Sequence, residues 1–555
     1  MRLFMHDLLE EPTLTTGKDS NALRHRAERV FLFVSVLVVL FAASLRIYHI
    51  AQRSLWLDEA VAANISRGTL AKTLVLTRCE HSAPIAHPVV LYAVEKVAAG
   101  PLAVRSPSLV ASVLAVFLML YFVTIPSIDH KTAALSALML SVSAVQIRFA
   151  QEVREYSLSV LYAALLLYFF MSYVSHREEH NSQTPLYLTL FFAPLIQYGL
   201  VLFSFGILAA LLILRFTDSK LQVRIAQIMK ASVFLAAGGL LTFVLTLRYQ
   251  WGETPWYLQG NYFTPGTGFL HFVRSNTQQL LTFLLPGAAA ALVSAVAILF
   301  HLVTSIRARI VSPLAVLAIT SFGIVLVCAV LHRYPYGGTR QCLFLAPVLC
   351  LLGSASLVQV ANRFKGVVNR TVFVAIACIV VVSGIFQICS MKPYSEVEDV
   401  QRILLGLQNR FEAGDGVYIY SGAVPAVDFY VKKRDQRFTY GDFHREAPEE
   451  YVSEILVGLL PETNRVWLLF SHIYDKEDKR ILHDLSSDWE VEQILSADGS
   501  ALYLARGRPV LLHKVPTNHD MKYGETIAAE RIPMTGRASD SFWDWNIRNS
   551  CRAAR

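Results

Sequence analysis

Between residues 30 and 391 the sequence returns repeatedly to apolar runs of bilayer-crossing length, near 30–50, 106–125, 132–149, 156–174, 185–203, 204–216, 231–248, 280–303, 310–331, 341–360 and 371–390. About 20 predominantly apolar residues suffice to cross a bilayer as a helix. Lipid offers the backbone no hydrogen-bond partners, so such runs must satisfy their own N–H and C=O groups as helices. The pattern predicts a multi-spanning α-helical membrane protein with about eleven transmembrane helices. Composition agrees: 54% of the 555 residues are hydrophobic and 17% charged, where a soluble chain carries about a quarter charged. The net charge of +8 is spread over short clusters between the apolar runs, which argues against a nucleic-acid surface.

Those clusters set an expected orientation. Arg24, His25, Arg26 and Arg29 precede the first run and place the segment 1–29 in the cytoplasm. Alternate loops then hold His130-Lys131, His176-Arg177, Lys220/Arg224/Lys230, Arg307/Arg309 and Arg363/Lys365/Arg370. The alternation holds only if 185–216 crosses twice, across the weak interruption at Gln197-Tyr198-Gly199. The outer side then receives the loop 51–105 and everything after Met391. The first run lacks a small-residue cleavage site and reads as a retained anchor.

The membrane domain therefore covers 30–391, including the outer loop 51–105, in which 67–76 is predicted to form a short interfacial helix. Residues 392–509 have the composition of a water-soluble domain. Gly416-Val417-Tyr418-Ile419-Tyr420 and Arg465-Val466-Trp467-Leu468-Leu469-Phe470 read as buried strands, with helices at 449–459 and 476–485, so a small α/β domain is expected. The tail 510–555 is polar and aperiodic, and is predicted to be disordered. Cys328, Cys342, Cys350, Cys378 and Cys389 lie in or beside apolar runs and behave as small hydrophobes; Cys79 and Cys551 remain as one distant pair.

Polar residues at the expected outer edge are the candidates for chemistry. Arg53-Ser54-Leu55-Trp56-Leu57-Asp58-Glu59 follows the first run, and membrane insertion does not call for its acid pair. Two adjacent carboxylates suit proton abstraction, metal ligation or hydrogen bonding to a sugar, against the plainer reading of a solvated loop. Gln151-Glu152-Val153-Arg154-Glu155-Tyr156 puts two acids and an arginine at a membrane edge, where they need partners or water unless they simply snorkel. In His332-Arg333-Tyr334-Pro335-Tyr336-Gly337-Gly338-Thr339-Arg340, outer arginines run against the usual loop bias and call for an anion, either a lipid headgroup or a substrate phosphate. Glu80-His81 and His87-Pro88 lack zinc-ligand spacing, and Trp251, Trp256, Tyr257 and Tyr262 suit an interfacial belt or a sugar-stacking surface. No Walker sequence, phosphate-cradling glycine loop or Ser/His/Asp spacing is present, which argues against a nucleotide-driven engine.

In order and placement these motifs resemble the GT-C glycosyltransferases, in the branch of protein O-mannosyltransferases and bacterial lipid A aminoarabinose transferases. The likeness runs from Ser54-Leu55-Trp56-Leu57-Asp58-Glu59 through Arg105-Ser106-Pro107-Ser108, Gln151–Tyr156 and Tyr334–Arg340, and reaches the strands at 416–420 and 466–470. Two departures stand out. Pro88-Val89-Val90-Leu91-Tyr92 replaces a frequent Pro-Pro-Leu-Tyr, and Gln197-Tyr198 stands where His-Tyr is expected.

The resemblance implies an envelope enzyme of the bacterial inner membrane that moves a sugar from a polyprenyl-phosphate donor to an extracytoplasmic acceptor by inverting displacement. Asp58 would take the acceptor proton and Glu59 orient the acceptor or sugar; Arg154 and Arg340 would hold the lipid phosphate; Gln151, Glu152, Tyr156 and Tyr334 would support them. No cofactor is required by this scheme, and participation of a divalent cation stays open. The competing classes are a transporter or lipid flippase, which should show paired repeats and broken helices, and a non-catalytic envelope-assembly protein.

Overall fold

The computed structural model describes residues 18–80, 83–175, 183–217, 224–250, 256–431, 438–442, 444, 449–459, 463, 465–487 and 489–507. His81, Trp251, Cys551 and the tail 510–555 lie outside the described residues. Two compact units emerge: one holds residues up to Arg53 together with Ile65–Ser395, the other Ser54–Asn64 together with residues from Glu396 onward.

In chain order the first helices are α1 (Lys18–Ile47), α2 (Leu57–Ser66), α3 (Leu70–Glu80), α4 (Ala86–Glu95), α5 (Pro101–Tyr121), α6 (His130–Val142), α7 (Ala144–Ala150) and α8 (Tyr156–Ser175). They are followed by α9 (Gln183–Ile196), α10 (Gly199–Thr217), α11 (Ile225–Thr242), α12 (Phe269–Leu284), α13 (Gly287–Ala308), α14 (Pro313–Val330), α15 (Ala346–Ala361) and α16 (Gly366–Met391). Local chemistry starts several of them. Asp129 caps α6 by accepting the Thr132 N–H at 2.7 Å, and Pro101 and Pro313 open α5 and α14, where a missing N–H costs nothing.

Among the described residues nine helices are long and apolar enough to cross a membrane, or ten if the bent pair α6–α7 is one span. The chain is a multi-pass membrane protein. The expected passage at 185–203 is the shorter of the two adjacent ones: α9 has only 14 residues. It stops because Gln197 and Tyr198 take polar partners instead of continuing the helix. Gln197 Nε2 donates to the Tyr334 hydroxyl at 3.4 Å and the Tyr198 hydroxyl donates to Gln250 Oε1 at 2.6 Å. The expected run 280–303 is likewise divided, because Leu285-Pro286-Gly287 separates α12 from α13, with Gly287 at φ 86°.

Helix α15 is the centre of this unit. The span 340–361 has 83% of its most apolar window buried, against 17% for 28–47 and 28% for 366–391. Around it pack α6, α8, α13, α14 and α16, leaving the outer spans to face lipid. Helices α9 and α11 approach so closely that a Cβ on Gly238 would lie 1.9 Å from the Phe191 carbonyl oxygen; small residues at such crossings let backbones meet in lipid. The break between α6 and α7, a 64° bend, is made good by a side chain from α16. Gln387 accepts the Ala144 N–H at 3.1 Å and donates to the Thr282 and Leu285 carbonyls at 3.0 and 3.2 Å. Arg46, fully buried, donates to Ser112 Oγ and to the carbonyls of Ala42, Ser141 and Leu140, tying α1 to α5 and α6.

The second unit is an α/β domain. Its elements are α17 (Val400–Gln408), β1 (Gly416–Ile419), α18 (Val424–Tyr430), β2 (Phe438–Tyr440), α19 (Glu449–Leu459), β3 (Arg465–Ser471), α20 (Glu477–Leu485), β4 (Glu490–Ala497) and β5 (Ser500–Arg506). Strand order is β2-β1-β3-β5-β4, with β2, β1 and β3 parallel and β5 and β4 antiparallel. The expected strands are β1 and β3, buried along nearly their whole length as parallel strands are. The expected helices are α19 and α20. At the carboxyl ends of β1 and β3 the two loops touch: a Cβ on Gly422 would lie 2.6 Å from the carbonyl oxygens of Ser471 and His472.

Candidate active site

The acid pair occupies the first turn of α2, where carboxylates interact favourably with the helix dipole. Asp58 is half-buried and Glu59 is fully buried. The stretch before them is held inside the second unit by its own backbone. The Ser54 N–H donates to Glu396 Oε2 at 3.0 Å, the Leu55 N–H to the Tyr430 hydroxyl at 2.8 Å, and the Leu57 N–H to Glu398 Oε2 at 2.9 Å. Ser54 Oγ accepts the Gln401 N–H at 3.1 Å, and Asn64, near the other end of α2, donates to the Pro425 carbonyl at 2.8 Å. Glu396, Glu398 and Tyr430 do not stand out in the sequence as site residues, since no spacing links them to position 57.

Residues 50–53 are held by the first unit. Arg105, of the Arg105-Ser106-Pro107-Ser108 motif, is fully buried and donates to the carbonyls of Ile50 and Arg53 at 2.8 Å each. Gln151 donates to the carbonyls of Arg46 and Tyr48 at 2.9 and 2.7 Å and accepts from Arg53 at 3.3 Å. Its whole amide is spent on tethering.

The other expected site residues also belong to the first unit, and three of them come together. Tyr156, at the start of α8, has the Arg154 guanidinium carbon 5.8 Å from its ring centroid and that of Arg340 5.7 Å away. Two cations share one aromatic ring, an arrangement that cation–π attraction supports but that still leaves two positive charges close together. Arg154 is 5% exposed and lies 3.8 Å from Glu155 Oε2; Arg340 is half-buried and donates to the Tyr257 hydroxyl at 3.5 Å. Glu152, 1% exposed, pairs with Arg148 at 3.0 Å, and its backbone carbonyl accepts the Arg154 N–H at 2.9 Å. Ser108 Oγ donates to the Arg154 carbonyl at 2.9 Å, which fixes the loop carrying that arginine. Tyr334 donates to the Gln341 carbonyl at 2.8 Å and receives Gln197, so it braces the turn leading to Arg340. Arg333, by contrast, is exposed.

His87, on α4, is buried with neither ring nitrogen hydrogen-bonded. It lines a cavity of about 210 Å³ with Pro107, Ser108, Ala111 and Leu158. Burial, and secondarily the charge of Arg154, pushes its imidazole down to about 3, so the ring is neutral near pH 7. A depressed folded value makes this group's contribution to stability present above the unfolded 6.5 and lost as the pH falls towards about 3. His87→Phe, which has no proton to gain, should therefore flatten the acid-side loss of thermal stability measured in detergent. An unchanged pH dependence contradicts this role. Among the described residues, no group of three or more His, Cys, Asp or Glu side chains could hold a metal ion.

No family model matches the sequence, and no curated protein is significantly similar to it. Solved structures are similar in fold. The chain superposes on the crystal structure of ArnT from Cupriavidus metallidurans in the apo state with a TM-score of 0.54 at 12% identity, over 84% of this chain and 97% of that one. The same protein bound to undecaprenyl phosphate gives a TM-score of 0.51 at 13% identity, with the same coverage of both chains. The fold is of the GT-C glycosyltransferase type. As the motifs lead one to expect, the chain has a many-helix membrane unit and, after the last span in sequence, a small α/β unit.

Proposed function

We propose that the protein transfers a sugar from a polyprenyl-phosphate donor to an extracytoplasmic acceptor hydroxyl, with inversion at the anomeric carbon. The observation that carries this reading is the pair Arg154 and Arg340, both within 5.8 Å of one phenol ring, in a membrane fold similar to one found with undecaprenyl phosphate. Arginine's planar fork binds phosphate oxygens two at a time and keeps its charge at any relevant pH.

The reaction balances simply. The acceptor oxygen forms a bond to the anomeric carbon as the bond from that carbon to the phosphate oxygen breaks. The acceptor proton passes to the carboxylate of Asp58, and the electron pair leaves with the polyprenyl phosphate. Arg154 and Arg340 stabilise the negative charge that grows on that phosphate. Glu59 orients the acceptor or the sugar. Purified protein supplied with a lipid-linked sugar extract and envelope acceptors should release polyprenyl phosphate and yield a glycosylated product. Absence of both products from every acceptor fraction overturns the reading.

The same reading places the N-terminus in the cytoplasm of a bacterial inner membrane and the α/β unit outside, which follows the alternating basic loops and requires the 14-residue α9 to cross as well as α10. In a background without native cysteines, Glu450→Cys should react with a membrane-impermeant thiol reagent added to intact cells. Ile225→Cys should not. The reverse pattern contradicts the orientation.

A further inference from the structure

The first turn of helix α2 is met by an acceptor from a remote part of the chain. Leu57 is its first residue, and the position before it is Trp56, which has no side-chain oxygen to accept an orphan N–H. The acceptor comes instead from 341 positions away: Glu398 Oε2 takes the Leu57 N–H at 2.9 Å. The other oxygen of the same carboxylate lies 2.5 Å from His472 Nδ1, so both oxygens of a nearly buried side chain are engaged. His472 follows β3 directly and adopts φ 51°, a left-handed conformation that costs a non-glycine residue energy unless its surroundings demand it. At the other end of α2, Asn64 is tied to the Pro425 carbonyl. Leu57 and Asn64 are seven positions apart, about two helical turns, so the helix is pinned twice along one side. Pinning at both points fixes the rotation of α2 about its axis, and with it the direction of Asp58.

We infer that Glu398, oriented by His472, is a positioning residue for Asp58, and that the α/β unit sets the alignment of the catalytic base. This rests on the reading of Asp58 as the base. Glu398 touches no reacting atom; it acts by holding the first turn of the helix that carries the base, and misplacement of such a group by about an ångström costs a large factor in rate.

The test uses the full-length protein in detergent or liposomes with the lipid-linked sugar extract. Glu398→Ala should lower kcat about tenfold and leave the donor KM within about twofold of wild type. Glu398→Gln keeps an oxygen for the Leu57 N–H and an amide for the His472 ring, and should recover most of the rate. His472→Asn, which suits the left-handed backbone but is too short to replace the ring, should give a smaller loss and serves if Glu398→Ala does not accumulate. In an Asp58→Asn background neither change should lower the residual rate further, because a positioning residue has nothing left to position. The same fractional loss in both backgrounds, a Glu398→Gln variant as poor as Glu398→Ala, or wild-type kcat in Glu398→Ala each overturns the inference. A wild type that transfers no sugar fails the functional reading itself, and is recognised before any variant is compared.

Discussion

Asp58→Asn is expected to insert and fold as the wild type does, yet to transfer sugar at least about a hundredfold more slowly, the usual scale of general-base loss. Asparagine keeps the size and most of the hydrogen bonding of aspartate but has no carboxylate to take a proton. The first turn of α2 should tolerate it, because the attachments of that turn are made by the backbone of Ser54, Leu55 and Leu57 and not by the Asp58 side chain alone. Glu59→Gln should be milder if Glu59 orients rather than reacts. If a solvated acid were all that position 58 supplied, neither change would matter. Chelator treatment of the wild type separates a third case: loss of activity restored by excess divalent ion would move the pair from acid–base chemistry to metal binding. Wild-type rates in Asp58→Asn would remove the base from this account.

The second large effect is expected at the arginine pair. Arg154→Lys and Arg340→Lys should each reduce transfer about tenfold or more, from loss of about 1.5 kcal/mol or more of charged hydrogen bonding. Lysine keeps the charge but loses the planar fork, so retention of charge alone cannot account for a drop. Both guanidinium groups lie within 5.8 Å of the same Tyr156 ring, so their effects are expected to couple. The double variant should fall about a hundredfold if the two act independently, and by less if they hold one phosphate together. The loss should be concentrated in steps that involve the donor: binding of polyprenyl phosphate, followed by displacement of a labelled lipid, should weaken in parallel with rate. Full activity in both single variants would take phosphate holding away from this pair.

The parts of the molecule that lipid dictates were legible from residue order. A run such as 371–390 must be a helix because nothing else satisfies its backbone in a membrane, and α16 duly covers Gly366–Met391. Buried parallel strands were legible for a related reason: β1 and β3 are apolar along their length because both faces are covered. Strand β4 is not legible in the same way, since it mixes exposed and half-buried positions and carries Glu490, Glu492 and Gln493. The expectation of about eleven full spans exceeded the nine or ten found among the described residues because hydropathy averages across Gln197-Tyr198, where hydrogen bonds to Tyr334 and Gln250 end the helix.

The acid pair divides in the same way. Its presence after the first span, and the two arginine-bearing motifs, are facts of sequence, because charge at a membrane edge is costly enough to be visible in one chain. What holds each in place is not. Arg154 and Arg340 lie 186 positions apart in the chain and meet only because α8 and the turn before α15 pack together around Tyr156. Asp58 follows a membrane span in sequence, yet its helix is capped by Glu398 and braced through Asn64 and Pro425, so it is grouped with the α/β unit. Hydropathy and charge act residue by residue and can be read in order along the chain. The cap on α2 and the ring shared by two arginines depend on distances between remote residues, and only the tertiary structure decides those.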